Sequence, residues 1–231
     1  MLKRHYFIGN FNLTLKKLDC VDTEIIHQIK DVLKLKEKEE VVLGDGLGKA
    51  AIAEIEKMDK KEINFAVKTF LPNPENNKKI VLYVALLKRD SFEWLLQKAT
   101  EVGVSEIIPI ISERTIKMGM NEKRWQKIIK EAAEQSQSLF LPQLLPVQTL
   151  KDALKNKKGT AIFFDLDGES IKKVKIKDPT ISLFVGPEGG WTEKEIEMSK
   201  EANAEFINLG QSILRAETAA TVAAYLAKNL F

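Results

Sequence analysis

The stretch Phe184–Thr221, FVGPEGGWTEKEIEMSKEANAEFINLGQSILRAETAAT, decides how the chain is read. It holds two turns rich in small residues, Gly186-Pro187-Glu188-Gly189-Gly190 and Leu209-Gly210-Gln211-Ser212-Ile213-Leu214-Arg215. Each follows directly on an apolar run that reads as a strand. Clustered glycines cost backbone entropy unless a turn needs positive φ or must let a ligand approach the main chain. The first turn also fits a plain strand-to-helix connection, because Thr192 with Glu195 forms a capping-box start for the next helix. Two such loops at the same end of adjacent parallel strands, each opening a helix, make the edge that α/β sheets offer to ligands. Neither loop has the glycine spacing of a dinucleotide site or the lysine of a P-loop, so the usual phosphate cradles are unsupported.

Working upstream, strands alternate with helices. Ile80–Leu87 is a nearly continuous apolar run, as expected of a strand covered on both faces. Asp90 or Ser91 then caps a helix with Phe92, Leu95, Leu96, Ala99 and Val102 at helical spacing, stopped by Gly103. Ile107–Ile111 reads as a strand, Glu122–Ser138 as a helix, and Thr160–Phe164, Ile181–Val185 and Phe206–Leu209 as strands. Ala216–Asn229 closes the chain as a helix, and Trp94 and Trp125 are assigned to the core. This alternation predicts a parallel sheet of about five or six strands.

A boundary falls at Leu71-Pro72-Asn73-Pro74-Glu75-Asn76-Asn77-Lys78-Lys79, dense in proline and asparagine. Residues before it read as mostly β: Val41–Leu43 and Ala50–Ile55 flank Gly44-Asp45-Gly46-Leu47-Gly48, and Ile63–Phe70 alternates apolar with polar side chains. The glycine-rich Gly44–Lys49 turn is hairpin chemistry, since it joins two strands and no helix follows it. Thr23–Leu35 is a short helical stretch. Lone histidines at His5 and His27 lack ligand spacing, so no metal site is expected.

Composition bounds the function. The 231 residues include 36 basic and 33 acidic side chains, a net charge of +3, so charge alone does not announce a nucleic-acid binder. A split at Pro72 leaves both parts nearly neutral. One cysteine, Cys20, excludes internal disulfides and suits a reducing compartment. With no signal-peptide pattern and no apolar run near about eighteen residues, a soluble cytoplasmic protein without a membrane partner is expected. Arginine is scarce, at Arg4, Arg89, Arg114, Arg124 and Arg215, and the last lies in a glycine-flanked loop where its planar fork cannot be imitated by lysine.

The two loops, with Glu217-Thr218-Ala219, resemble the paired signature of the ribosomal RNA small subunit methyltransferase E family. The resemblance continues in Gln97-Lys98-Ala99-Thr100-Glu101-Val102-Gly103-Val104, Pro109, Glu134-Gln135-Ser136 and Pro142, is strong over Lys88–Ala219, and is looser over the first seventy residues. It implies an α/β fold: a C-terminal SPOUT-type parallel sheet with a trefoil knot over 73–231, after a small N-terminal PUA-like RNA-binding β-barrel over 1–72. It further implies a homodimer with active sites formed between subunits. The implied reaction is S-adenosylmethionine-dependent methylation of N3 of a uridine near the decoding region of 16S ribosomal RNA, with the small ribosomal subunit as partner.

That resemblance implies site residues. Cofactor contacts fall on Gly186, Pro187, Glu188, Gly189, Gly190, Leu209, Gly210, Ser212, Ile213, Leu214 and Arg215, mostly through main-chain groups that pair with adenine and ribose. Arg215 is placed to stabilise charge developing on the uridine oxygens. Glu188 and Glu217 are the carboxylates available for the N3 proton, although Glu217 also suits the helix dipole, and Glu188 also suits its own turn. A base is dispensable if binding lowers the uridine pKa. For RNA contacts the candidates are Lys3, Arg4, Lys30, Lys34 and Lys88, with ordinary solvated charge as the alternative. Lys34 stands where the family commonly has arginine. Ser138, Phe140 and Ser212 also replace family arginines, which weakens the RNA surface more than the cofactor pocket. Phe140 suits either packing beneath Pro142 or stacking on a base. Two rival functions stay open: methylation of another RNA on the same fold, and a non-catalytic RNA-binding module.

Overall fold

The computed structural model describes residues 4–73, 78–115, 119–171, 176 and 178–229. Lys3 and the boundary residues 74–77 lie outside the described residues. The chain divides into two compact units, one formed by residues up to 75 together with Ala133–Leu141, the other by the remainder.

The first unit is a curled five-stranded sheet. Its strands are β1 (Tyr6–Ile8), β2 (Lys17–Cys20), β3 (Glu40–Gly44), β4 (Ala50–Met58) and β5 (Ile63–Phe70), in the order β1-β3-β4-β5-β2. Only the β1–β3 pair is parallel. Alternation along β4 and β5 turns Ala53, Ile55, Ile63 and Phe65 into one core. That core is closed by α1 (Thr23–His27) and the π turn Gln28–Val32, which bury Ile25 and Ile29. Asp22 starts α1 by accepting from the N–H groups of Glu24 and Ile25 at 2.8 and 3.3 Å, the expected use of an acidic N-cap.

The β3–β4 hairpin is as read from the sequence. Asp45 Oδ1 accepts from the backbone of Leu47 at 2.7 Å and Lys49 at 3.0 Å, closing the turn from inside. The surprise is Ala133–Leu141, which completes this unit. Glu134 Oε1 accepts from Ile8 N at 2.9 Å, Gly48 N donates to Leu139 O at 2.9 Å, and Leu141 N donates to Gly46 O at 2.8 Å. Phe140 sits on the hairpin turn, where a Cβ at Gly48 would stand 2.7 Å from its ring.

The second unit begins with β6 (Lys79–Ala85), α2 (Arg89–Val102), β7 (Glu106–Ile111) and α3 (Glu122–Ser136), whose last turn belongs to the first unit. It continues with β8 (Gln143–Leu144), β9 (Gln148–Thr149), α4 (Leu150–Lys155), β10 (Thr160–Ser170), β11 (Thr180–Val185), α5 (Glu193–Glu201), β12 (Glu205–Asn208) and α6 (Ala216–Asn229). The strands run β12-β10-β11-β6-β7-β8, with β9 also beside β7, and all these pairings are parallel. Three details differ from the sequence expectation. Strand β10 lies between β11 and β12, so the strands that carry the two loops are not adjacent. Helix α2 starts two or three residues earlier than expected, with Lys88 at its cap and no side-chain bond there, although Gly103 ends it at φ 85° as expected. Trp94 is 41% exposed, whereas Trp125 is 2% exposed and packs on Phe92 at 4.7 Å between ring centres. The short elements β8, β9 and α4 carry too few residues to show a period.

Register explains the strand order. Tyr83 on β6, Phe184 on β11, Phe163 on β10 and Phe206 on β12 occupy one rung. Their ring centres stand 4.5, 4.6 and 5.5 Å apart in turn, so the inter-strand spacing stacks the first three rings and sets Phe206 tilted at 37° against Phe163. Four aromatic rings in register favour this arrangement over one that exposes any of them. Small residues then let α6 approach the sheet: Ala216, Ala220, Ala223, Ala224 and Ala227 form its buried face, packed toward α2, β6 and β11.

Candidate active site

The aromatic rung sits just before both loops in the chain, since Phe184 precedes Gly186 and Phe206 precedes Leu209. It therefore fixes where each loop leaves the sheet. With β10 interposed, the loops start two strand intervals apart, about 10 Å, roughly the length of a nucleoside.

The first loop is held at its root by Trp191. Its buried indole donates from Nε1 to Phe164 O at 3.3 Å and packs on Phe163 at 4.9 Å between ring centres. Gly190 N donates to Pro187 O at 2.9 Å, and Gly190 adopts φ 69° with open space where a Cβ would stand. Pro187 is buried, while Glu188, Gly189 and Gly190 are exposed. The capping box expected after the loop is complete: Glu195 N donates to Thr192 Oγ1 at 3.3 Å and Thr192 N donates to Glu195 Oε2 at 2.9 Å.

The second loop is shaped by Asn208. Its Oδ1 accepts from Gly210 N at 2.7 Å and its Nδ2 donates to Leu166 O on β10. Gly210 has φ 145°, again with nothing within 4 Å of a built Cβ. Leu209 and Leu214 are half-buried, Gln211 and Ser212 exposed, and Ile213 is 80% exposed. Arg215 is exposed at the start of α6, its carbonyl accepting from Ala219 N at 2.8 Å. Glu217 is half-buried in the first turn of that helix.

All the sequence-selected loop residues thus lie at the carboxyl edge of one sheet. Lys88 is exposed at the same edge, after β6, the neighbour of β11. The candidates in the first unit fare differently. Arg4 donates from Nε and Nη2 to Glu40 Oε2 at 2.8 and 2.7 Å, and Lys30 donates to Asp59 O at 2.9 Å. Lys34 is exposed at φ 54°. Among the described residues no group of three His, Cys, Asp or Glu side chains stands ready for a metal ion, and no helix is long and apolar enough to cross a membrane.

Sequence reasoning missed three contributors. Asn208, two residues before Gly210, carries an Asx-turn signal that was legible. Arg114, in the turn after β7, reaches the first loop from two strands away, and its neighbour Glu113 reaches Glu195 in α5; nothing local announces either.

Two family models match the chain: an RNA methyltransferase domain over residues 74–228 and an RNA methyltransferase PUA domain over residues 21–68. The ribosomal RNA small subunit methyltransferase E of Rickettsia conorii is 31% identical over 213 residues, covering 90% of this chain and 87% of that protein. The chain belongs to the ribosomal RNA small subunit methyltransferase E family. The Bacillus subtilis member is 30% identical, covering 94% of this chain and 92% of its own length. The crystal structure of the Neisseria gonorrhoeae member, bound to S-adenosyl methionine, superposes with a TM-score of 0.92 at 30% identity, covering 99% of this chain and 98% of that one. With membership in the ribosomal RNA small subunit methyltransferase E family goes the fold class expected from the sequence, a SPOUT-type parallel α/β sheet after a PUA-like domain.

Proposed function

We propose that the chain is an S-adenosylmethionine-dependent methyltransferase of the small-subunit ribosomal RNA, acting on N3 of a uridine in the decoding region of 16S RNA. The observation that carries this reading is the pair of glycine loops on one sheet edge, two strand intervals apart, with open space over Gly190 and Gly210. Main-chain groups of Gly186–Gly190 and Leu209–Arg215 hold the adenosine, and the exposed Ile213 with the half-buried Leu209 and Leu214 offers its flat face an apolar bed.

The cofactor supplies a methyl group on a sulfonium sulfur, a centre that needs alignment more than activation. The chain's residues do the rest. Arg215, free in solvent at the mouth of the second loop, holds the uridine oxygens and stabilises the charge they gain when N3 loses its proton. Glu188, on the first loop, and Glu217, in the first turn of α6, are the groups that can take that proton. Pro187 and Trp191, both buried, keep the first loop in place while this happens. Lys88 and Lys34 meet RNA phosphates, and Arg4 and Lys30 join them by exchanging their present partners. The unit over residues 1–72 recognises RNA, and that over 73–231 transfers the methyl group. Two copies make the working enzyme, in the cytoplasm beside its ribosomal substrate. Tyr225, at 57% exposure, leaves apolar surface on α6 for the second copy.

The deciding experiment incubates the purified protein with unmodified small ribosomal subunits and cofactor carrying a labelled methyl group, then maps the label. The expected product is a single 3-methyluridine in 16S RNA. Label in another RNA or at another atom would replace the assigned target, and no transfer despite cofactor binding would reject the enzyme.

A further inference from the structure

The turn after β7 grips the first loop and the start of α5 at three points. Arg114 Nη1 donates to Gly189 O at 2.7 Å and to Trp191 O at 3.3 Å, so one guanidinium nitrogen spans the two carbonyls that flank Gly190. One residue earlier, Glu113 N donates to Glu195 Oε1 at 2.9 Å. Glu195 is 3% exposed, and its other oxygen is committed to the capping box at Thr192. The gripping turn is itself fixed, since Ser112 N donates to Thr115 Oγ1 at 2.9 Å and Thr115 N to Ser112 O at 3.1 Å.

Contact is close as well as polar. A Cβ at Gly189 would stand 3.3 Å from Arg114 Cδ and 3.4 Å from its Cβ, so the arginine stem lies along the glycine backbone. No positive φ calls for glycine at this position, and the arginine supplies the reason for it. A guanidinium holds carbonyls in a fixed plane and stays charged at every working pH, and a charged donor strengthens each bond beyond the neutral case. Among the described residues, the other hydrogen bond that ties down Glu188–Gly190 is the one from Gly190 N to Pro187 O.

We propose that Arg114 is a positioning residue for cofactor binding: it presets the Gly186–Gly190 loop so that the cofactor does not have to order it. This rests on the assignment of that loop to S-adenosylmethionine. Ordering a loop on binding lowers affinity, and presetting it removes that cost.

The test measures cofactor affinity by calorimetry for the unaltered chain, Arg114→Ala, Arg114→Lys, Gly189→Ala and the Arg114→Ala/Gly189→Ala pair. Two ligands are used, S-adenosylmethionine and 5′-methylthioadenosine, which lacks the amino-acid end. Arg114→Ala is expected to weaken both by about tenfold and by the same factor, the loss typical of a charged hydrogen bond, and Arg114→Lys is expected to recover part of it. Gly189→Ala is expected to cost affinity in the unaltered chain and little more once Arg114 is gone. Unchanged affinity in Arg114→Ala, additive losses in the double variant, or a loss confined to S-adenosylmethionine would each overturn the positioning role; the last would make Arg114 a direct ligand contact. If the unaltered chain binds neither ligand, the functional reading itself falls. If it binds both and Arg114→Ala matches it, only the positioning role falls.

Discussion

Gly186 lies against the indole of Trp191, so close that a Cβ there would stand 2.9 Å from Cε2 and 3.2 Å from Nε1. The glycine is required by the ring and not by its own φ. Gly186→Ala should push the indole off Phe163 and break its bond to Phe164 O. Overpacking of this kind costs about 1–3 kcal/mol. Urea unfolding should show a lower midpoint, and titration should show weaker cofactor binding; an unchanged midpoint would mean that the ring has room to yield.

Gly168 makes a tighter approach of a different kind. A Cβ there would meet Ile207 N at 2.5 Å and Ile207 C at 2.6 Å, and a backbone cannot swing aside as a side chain can. Near this point β10 leaves its register, with Phe164 and again Glu169 opposite Ile207. Gly168→Ala is therefore expected to cost more than Gly186→Ala, about 3 kcal/mol or above. Comparing the two denaturation midpoints checks the ranking.

Arg215→Ala should act on rate. Removing a donor aimed at developing negative charge typically lowers the chemical step by about a hundredfold to a thousandfold. Single-turnover methyl transfer to small ribosomal subunits is the measurement, with cofactor affinity determined alongside. A rate within a factor of two of the unaltered chain would remove Arg215 from the chemistry.

Acid should weaken the second unit through Glu93. Its carboxylate accepts from Arg124 Nε and Nη2 at 2.5 and 2.7 Å and from Arg89 Nε at 3.1 Å. Those bonds, Arg124's first, hold its pKa down to about 2 from 4.5 against the opposing effect of burial. A carboxyl whose folded pKa is depressed binds fewer protons in the folded state, so its stabilisation is complete above the unfolded value and is lost as pH falls from about 4.5 toward 2. Urea midpoints measured from pH 6 to pH 3 should fall less steeply for Glu93→Gln than for the unaltered chain. Parallel slopes would show that the arginines do not depress this group.

The sequence by itself determined the order of the longer strands and helices in the second unit, though not β8, β9 or α4, together with the capping box at Thr192, the Asp45 hairpin and both glycine loops. Each is written in residues a few positions apart, where period, turn chemistry and backbone freedom act locally. Only the tertiary structure decided that β10 enters between β11 and β12, that Ala133–Leu141 completes the first unit, and that Arg114 reaches Gly189 from two strands away. Strand order follows from which faces bury best together, here the rung of Tyr83, Phe184, Phe163 and Phe206, and that free energy belongs to residues up to 123 positions apart (206 − 83) which no local pattern connects.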